Sequence, residues 1–267
     1  MHIQSPLVYP LKSARGVALQ EVEVQARGLA GDRRWMVIDE KNRFVSARKI
    51  PAMVLIEASM QAGDIALTLS ARDQSPASVV VPDAKLPVIE VEVWKSRCPA
   101  RVADAAANEW ISALLNGDYR LVHMADDCLR SVSQEWSRPG DIVSFADGFP
   151  LLLIGTASLE DLNRRLSRPV TMANFRPNLV VQTAHAFIED NWRRVRIGDI
   201  EFDVSKPCTR CVLTTVDPNS GMKSVDGEPL ATLKTFRKFE LGVTFGQNLI
   251  PRGVGTLHRG DPLTALL

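Results

Sequence analysis

Short stretches that alternate apolar and polar residues fill the first hundred positions. Residues 88–94 alternate apolar and polar side chains with period two around two glutamates, as a half-buried strand does. Residues 34–39 and 53–60 are rich in Val, Ile, Met and Trp, and residues 39–42 and 62–64 carry typical hairpin-turn residues. Short strands at this spacing predict a barrel or a folded-over sheet.

Helical patterns appear at three places farther along the chain. Residues 104–115 carry an apolar stripe, with Asp104 as a potential N-cap. Residues 158–166 do the same behind Ser158, which resembles the first residue of a capping box. Residues 229–238 begin with a proline and predict a short third helix.

A long polar stretch, residues 126–148, separates the first two helices and contains a Pro-Gly pair. It predicts a long loop, which in compact proteins is often functional. Strand-like stretches follow at 178–182, 194–197, 200–204, 212–216 and beyond 243. The pattern predicts a mainly β fold with peripheral helices (α+β), and the change in composition near the loop predicts two domains, 1–125 and 126–267.

Composition narrows the class of protein. The chain has 267 residues, of which 45% are hydrophobic and 24% charged, so it can bury a sizeable core. A net charge of +1 gives no reason to expect a nucleic acid or a membrane surface as partner. No apolar segment is long enough to span a membrane, and the N-terminus lacks the pattern of a signal peptide. With one close pair among four cysteines, a reduced, cytoplasmic protein fits best.

That close pair, Cys208 and Cys211, carries the strongest chemical signal. Arg210 beside the second thiol favours the thiolate form, and a thiolate is either a nucleophile or a ligand for a soft metal. Zinc needs four ligands, and the other cysteines and the four histidines lack that spacing. A thioredoxin-like dithiol follows a strand and begins a helix, whereas here a strand is predicted after the pair. Two unreactive buried thiols are a third alternative, which Arg210 disfavours.

Three other stretches offer cations or amides at a predicted bend or strand end. Lys12 and Ser13 lie side by side at a bend, and Arg33 belongs to a second basic stretch. Lysine, serine and arginine together suit a phosphate, although the glycine spacing of a P-loop is absent. Arg176 precedes a proline and is expected to be extended, and Asn178 opens a strand. A solvated charged edge or a turn is the ordinary interpretation of each stretch taken alone.

The adjacent carboxylates Glu189 and Asp190 lie beside aromatic residues. Such a pair can act as an acid–base dyad in catalysis. Acidic pairs at such places more often belong to loops, so a catalytic role is the weaker interpretation and a loop is the stronger one.

Taken together and in this order, these stretches resemble the MOSC-domain proteins, in particular the bacterial YcbX proteins and the mitochondrial amidoxime-reducing component. Six motifs between residues 3 and 263 carry the likeness: Tyr-Pro-Leu-Lys-Ser at 9–13, Gly-Asp-Arg at 31–33, Phe-Arg-Pro-Asn at 175–178, Glu-Asp with a following Trp at 189–192, Pro-Cys-Thr-Arg-Cys at 207–211 and Phe-Gly-Gln-Asn at 245–248. The resemblance implies an N-terminal MOSC β-barrel region packed on a MOSC β-barrel domain.

The resemblance also implies a molybdenum cofactor, molybdenum bound to molybdopterin. The family's metal ligand and catalytic group corresponds to Cys211, and Cys208 then helps to shape the pocket. The family's other cofactor contacts correspond to Lys12, Ser13 and Arg33 near the pterin phosphate, to Arg176 and Asn178 beside the pterin, and to Asp147, Gly148 and Phe149 in the long loop.

The implied activity is reduction of N-hydroxylated compounds, such as hydroxylaminopurines, amidoximes and hydroxylamines, by a molybdenum-dependent oxidoreductase. Asp217, Glu189 or a bound water are the candidate proton sources. Longer YcbX proteins continue into a ferredoxin-like domain with four cluster cysteines, whereas no cysteine follows Cys211 here. Electrons are therefore expected from a separate protein such as a ferredoxin, a flavodoxin or a reductase. Asn248 stands where the mitochondrial proteins have a tyrosine.

Two other functions remain open from the residues. One is a carrier that binds the molybdenum cofactor, or sulfur as a persulfide, on Cys211 and passes it on. The other is a zinc-stabilised binding module. Retention of a pterin separates both molybdenum hypotheses from the zinc module, and turnover with a reductant separates the enzyme from the carrier.

Overall fold

The computed structural model describes residues 1–61 and 66–266, and in these ranges the chain is mainly β, as its alternating pattern predicts. The strands are β1 (His2–Val8), β2 (Val17–Ala18), β3 (Glu21–Gln25), β4 (Gly28–Leu29), β5 (Trp35–Ile38), β6 (Glu57–Met60), β7 (Ala66–Ala71), β8 (Gln74–Val80), β9 (Ile89–Val93), β10 (Ser96–Val102), β11 (Arg120–His123), β12 (Leu151–Gly155), β13 (Leu179–Gln182), β14 (Arg194–Ile197), β15 (Ile200–Thr209), β16 (Lys238–Phe239), β17 (Gly242–Pro251), β18 (Gly255–His258) and β19 (Leu263–Leu266). The predicted turn at 62–64 lies outside the described residues.

Helices are few and short. They are α1 (Ala105–Leu115), α2 (Thr156–Arg165), α3 (Met172–Phe175) and α4 (Leu230–Phe236), with 3-10 turns at Pro51–Leu55, Gln134–Trp136, Ile188–Asn191 and Val212–Thr215. The Asp104 cap of α1 is confirmed, because its side chain accepts a 2.8 Å hydrogen bond from the N–H of Ala107. Within the described chain, no helix is long and apolar enough to cross a membrane.

The largest sheet joins the two ends of the chain. Its order is β19-β14-β15-β17-β12-β13-β1-β2, with β16 also on β17. β1 is antiparallel to β13, and β13 is parallel to β12, so β1 ends at the edge where β12 and β13 begin. In return, β18 from the last part of the chain pairs with β3. The two halves therefore exchange strands, and the division at 125/126 stays a prediction.

Separate hydrophobic clusters fill the interior. One cluster lies under the largest sheet, with Phe202 and Leu249 among its buried members. Another packs α1 against strands of the first half, with Trp35 and Ile111 at its centre. The segments that line the functional site therefore start from rigid, buried strands.

Two local predictions are wrong. Ser158 is not a capping residue, because α2 begins two residues earlier at Thr156, and the buried hydroxyl of Ser158 donates instead to Glu189 (2.7 Å). Residues 53–60 are not one strand, because their first part belongs to the 3-10 turn that begins at Pro51. Proline fixes a φ that suits the start of a tight helical turn.

The strand predicted at 212–216 is also wrong, and this changes the setting of the cysteine pair. β15 runs through Cys208 to Thr209 and pairs with β17 there, and a 3-10 turn follows at Val212–Thr215. The hydroxyls of Thr214 and Thr215 donate to carbonyls three residues back, at 2.9 and 2.7 Å, which supports the tight turn. No strand follows the pair, so the argument against a redox dithiol that rested on such a strand does not hold. The antiparallel surroundings still differ from the βαβ setting of a thioredoxin-like motif.

Candidate functional site

One cleft contains every residue that the family resemblance assigns to the cofactor. It encloses about 870 Å³, including the space open to solvent at its mouth. Five segments contribute the predicted residues: the bend after β1, the approach to β5, the loop before β12, the link from α3 to β13, and the end of β15 with the residues that follow it. The predicted residues lining the cleft are Lys12, Ser13, Arg33, Asp147, Gly148, Phe149, Arg176, Asn178, Cys208 and Cys211. Their location is thus established, and their role toward a cofactor stays a prediction.

Left-handed backbone conformations concentrate at this cleft. Among the described residues, eight non-glycine residues have a positive φ, and four of them line the cleft: Ser13 (74°), Arg33 (48°), Trp94 (57°) and Arg176 (58°). Such conformations cost about 1–3 kcal/mol each and persist only where the surroundings fix them, which happens most often at functional sites. Four such residues at one cleft therefore favour a functional site there.

Arg176 corrects the prediction of an extended residue. It takes the left-handed conformation at the end of α3, where its N–H donates to the carbonyl of Met172 (3.0 Å). The following proline disfavours the right-handed helical region, and a left-handed residue is a common way to end a helix. This geometry leads the Arg176 side chain into the cleft.

Two guanidinium groups pack on the ring of the buried Tyr9. Arg33 lies 4.2 Å and Arg176 4.3 Å from the ring centroid, distances typical of cation–π contacts. Arg33 is further held by Asp32 (2.6 Å) and by the amide oxygen of Asn178 (2.9 Å). Burial raises the pKa of Asp32, an effect that the charge of Arg33 opposes. Burial also lowers the pKa of Arg176 to about 10, which leaves it charged at neutral pH.

Asn178 joins the strand ends beneath these cations. Its side chain donates to the carbonyl of Leu7 (3.1 Å) and accepts from the N–H of Leu152 (3.2 Å), besides its bond with Arg33. It is only 1% exposed. Its amide therefore fixes the end of β1 against the start of β12 and orients Arg33.

The opposite wall centres on Asp147. Its carboxylate accepts hydrogen bonds from Lys12 (2.6 Å), Arg48 (3.1 Å) and the indole N–H of Trp94 (3.1 Å). Desolvation acts to raise the pKa of Asp147, but the charge and hydrogen bond of Lys12, followed by Arg48, hold it well below its usual range. Burial lowers the pKa of Lys12, and Asp147 opposes that effect. Asp147 is therefore ionised at neutral pH.

The cysteine pair faces this cationic surface. The Arg210 guanidinium contacts the Sγ of Cys208 at 3.0 Å rather than Cys211, and donates to the carbonyl of Phe175 at 2.6 Å. Cys211 follows β15 as a half-buried residue that precedes the 3-10 turn. The arginine thus fixes the loop through Cys208, and Cys211 lines the cleft without that contact.

Positive charge in the cleft exceeds what the described residues neutralise. Its described lining has five cations, Lys12, Arg33, Arg48, Arg176 and Arg210, against the single carboxylate Asp147. Arg176 and Arg210 form no ion pair with a carboxylate of the described chain, and the buried Nε of Arg210 has no hydrogen-bond partner there. Desolvated charge without a counter-ion is costly. The cleft therefore fits an anionic group such as a phosphate, and a thiolate at Cys211 fits a soft metal.

Three residues of the site were missed by the sequence reasoning. Arg48 and Trp94 line the cleft, and the buried Arg130 donates to the carbonyls of Ser144, Ala146 and Asp147 at 2.7, 2.6 and 3.0 Å, which holds the loop in place. Nothing in the local pattern marks Arg48 or Arg130. A tryptophan inside a hairpin turn, where glycine and asparagine predominate, was a signal available for Trp94.

The structure does not bring the other candidate acids to the cleft. Glu189 is buried and accepts from the N–H of Gly155 (3.0 Å) and from Ser158, and Asp190 pairs with Arg237 (2.7 Å). Asp217 accepts from two N–H groups of its own turn. These contacts are structural. In the described ranges, no three His, Cys, Asp or Glu side chains form a metal-binding group, so the zinc module has no ligand set there.

Comparison with known proteins agrees with this architecture. The family described as "MOSC N-terminal beta barrel domain" matches residues 1–118, and the "MOSC domain" matches residues 140–264. Mitochondrial amidoxime-reducing component 1 of Mus musculus is 37% identical, over 97% of this chain and 80% of that protein. The same component of Homo sapiens is 35% identical over 97% and 81%. Mitochondrial amidoxime reducing component 2 of Rattus norvegicus is 34% identical over 96% and 80%.

The mainly β fold and the matches of both MOSC models define the class of the chain as a MOSC-domain protein. The chain belongs to this family, in the group with an N-terminal MOSC β-barrel domain that includes the amidoxime-reducing components.

Proposed function

We propose that this chain is a molybdenum-cofactor-dependent reductase of N-hydroxylated compounds, including hydroxylaminopurines, amidoximes and hydroxylamines. The observation that carries the proposal is the cleft itself, where uncompensated cations and Cys211 converge. The similarity to amidoxime-reducing components over nearly the whole chain supports the same chemistry.

In this proposal, different residues of the cleft hold different parts of the cofactor. Cys211 would be the protein ligand of molybdenum, and Lys12, Ser13 and Arg33 would hold the pterin phosphate. Arg176 and Asn178 would lie beside the pterin, and the loop at Asp147, Gly148 and Phe149 would complete the contact. When bound, the cofactor supplies the two-electron chemistry of R–NH–OH + 2H⁺ + 2e⁻ → R–NH₂ + H₂O.

The chain's own contribution is orientation and charge. Uncompensated cations such as Arg176 and Arg210 favour anionic groups, and the rigid strand ends fix their positions. Asp147 is ionised at neutral pH because Lys12 and Arg48 lower its pKa, so it suits a role as hydrogen-bond acceptor. Water at the open mouth of the cleft is then the proton source that best fits the described residues, since Glu189 and Asp217 lie elsewhere.

The electron donor is proposed to be a separate protein, such as a ferredoxin, a flavodoxin or a reductase. The proposed compartment is the cytoplasm, supported by free thiols at all four cysteines. The relatives are named as mitochondrial proteins, and a fractionation experiment would decide for this chain.

The test is turnover by protein from a host that makes molybdenum cofactor. Holo-protein with a chemically reduced viologen should convert an amidoxime to the amidine, and the Cys211→Ser variant should not. Protein from a cofactor-deficient host is the matched control. Full cofactor content without turnover of an amidoxime, a hydroxylaminopurine or hydroxylamine would contradict the reductase and favour the carrier.

A further inference from the structure

Trp94 occupies a backbone position that its residue type does not favour. It is the first residue of the two-residue turn between β9 and β10, where Val93 pairs with Ser96. Its φ is 57°, a conformation that is a genuine outlier for a bulky residue. Glycine or asparagine would form this turn with less strain. Stability of the hairpin therefore does not explain a tryptophan here.

The surroundings of Trp94 connect it to the cleft. Its indole N–H donates to Asp147, the Arg48 guanidinium lies 4.3 Å from its ring, and Phe44 packs at 4.6 Å with the two ring planes at 56°. Despite these contacts the residue is 37% exposed. The ring is thus fixed in place while part of its surface stays open to solvent.

A second groove begins where the cofactor cleft ends. The two share Trp94, Asp147, Gly148 and Phe149 in their linings. The far wall of the groove holds Trp136, over whose ring Lys206 lies at 4.9 Å. This aromatic groove, defined by Phe44, Trp94, Trp136 and Phe149, also carries Glu92 and Glu135.

The chemistry of the groove suits a small planar molecule. Aromatic side chains stack on heteroaromatic rings, and such stacking tolerates different rings because every ring has a π-face. Acidic, hydroxyl and ammonium groups in the same lining can hydrogen-bond ring nitrogens and exocyclic amines. Continuity with the cleft places a ring in the groove next to the predicted cofactor.

We propose that the aromatic groove, with Trp94 as its specificity-determining residue, binds the planar heteroaromatic part of N-hydroxylated substrates such as purines. The assignment of a reductase is the proposed function on which this rests. The groove favours the binding of ring-bearing substrates over small ones such as hydroxylamine, and the left-handed turn presents the indole of Trp94 to the groove.

Binding of adenine, the aminopurine product, tests the groove without turnover. Isothermal titration of adenine into the holo-protein should show binding that Trp94→Gly and Trp136→Ala each weaken roughly fivefold or more. Trp94→Phe keeps a ring and should stay within about threefold of the wild type. Glycine accepts the left-handed backbone, so Trp94→Gly should fold normally.

The matched control is Asp73→Gly, which replaces another residue of positive φ in the hairpin turn between β7 and β8. It should leave adenine binding unchanged. Adenine that fails to bind at millimolar concentration, or binds Trp94→Gly within twofold of the wild type, overturns the proposal.

Turnover separates this proposal from the function on which it rests. The ratio of kcat/KM for 6-hydroxylaminopurine to kcat/KM for hydroxylamine should fall at least fivefold in Trp94→Gly, and an unchanged ratio overturns the specificity role. If no N-hydroxylated compound is reduced by the wild type, the proposed function fails, while the adenine titration still decides whether the groove binds heteroaromatic rings.

Discussion

The ammonium of Lys12 donates hydrogen bonds to the carboxylate of Asp147 at 2.6 Å and to the carbonyl of Phe145 at 2.7 Å. Lys12 and Asp147 are 135 positions apart in sequence, so this contact fastens the bend after the first strand to the long loop before β12. The side chain of Lys12 is nearly buried, whereas that of Asp147 lies within the cleft and is 57% accessible to the solvent in it. The contact therefore forms one wall of the cleft and pairs the positive charge of Lys12 with the carboxylate of Asp147.

Replacement of Asp147 by asparagine should destabilise the protein by about 1 kcal/mol at neutral pH, because a buried ammonium loses its charged partner. The folded-state pKa of Asp147 lies below its unfolded value. Its stabilisation is therefore fully present above the unfolded pKa and is lost as the pH falls through the folded pKa.

Urea unfolding of the wild type and Asp147→Asn at several pH values measures this difference. The difference should be constant from about pH 5 to 8 and shrink below about pH 4. Asp127→Asn, an exposed carboxylate in the same loop, is the control. A difference that grows on acidification would show that the carboxylate is not held ionised.

Arg176 gives a prediction about anion binding. Replacement by methionine removes a guanidinium that has no carboxylate partner in the described chain, so the affinity of the apo-protein for inorganic phosphate or pyrophosphate should fall about tenfold or more. Isothermal titration calorimetry at constant ionic strength measures this affinity. Arg97→Met, a change at an exposed arginine of β10, should have no effect, and equal losses in the two variants would mean that only overall charge matters.

Features that depend on neighbouring residues could be predicted from the sequence, whereas contacts between distant segments could not. The alternation in β9 and the Asp104 cap are local, and both were predictable. The bundle of cations around Tyr9 joins residues from distant segments, so it was recognisable only through the family motifs. Arg48 and Arg130 belong to no such motif, and their roles follow from contacts with a loop that lies far from them in sequence.

Two of the wrong predictions, the strand at 212–216 and the Ser158 cap, share a physical cause. The β-branched run after Cys211 has strand propensity, but the hydroxyls of Thr214 and Thr215 bond to nearby carbonyls and favour a tight turn. Ser158 looks like a cap, yet its hydroxyl is taken by the buried Glu189. In both cases a polar side chain has a hydrogen-bond partner that the periodicity of the sequence does not describe.

Glu189 provides a test of structure against catalysis. Glu189→Ala should lower the free energy of unfolding by about 1–3 kcal/mol, because it leaves the N–H of Gly155 and the hydroxyl of Ser158 without their acceptor. Turnover per bound molybdenum should be unchanged, since Glu189 lies outside the cleft. Glu189→Gln keeps one acceptor oxygen and should be milder. A large loss of kcat per molybdenum with normal stability would make Glu189 a proton donor after all.

The measurement that tests the central claim most directly is molybdenum and pterin content of protein purified from a host that makes the cofactor. The wild type and Cys208→Ser should each hold close to one molybdenum per chain, with a pterin phosphate released on denaturation. Cys211→Ser should hold almost none, because it lacks the thiolate ligand. Full molybdenum in Cys211→Ser, or zinc or no metal in the wild type, would contradict the account.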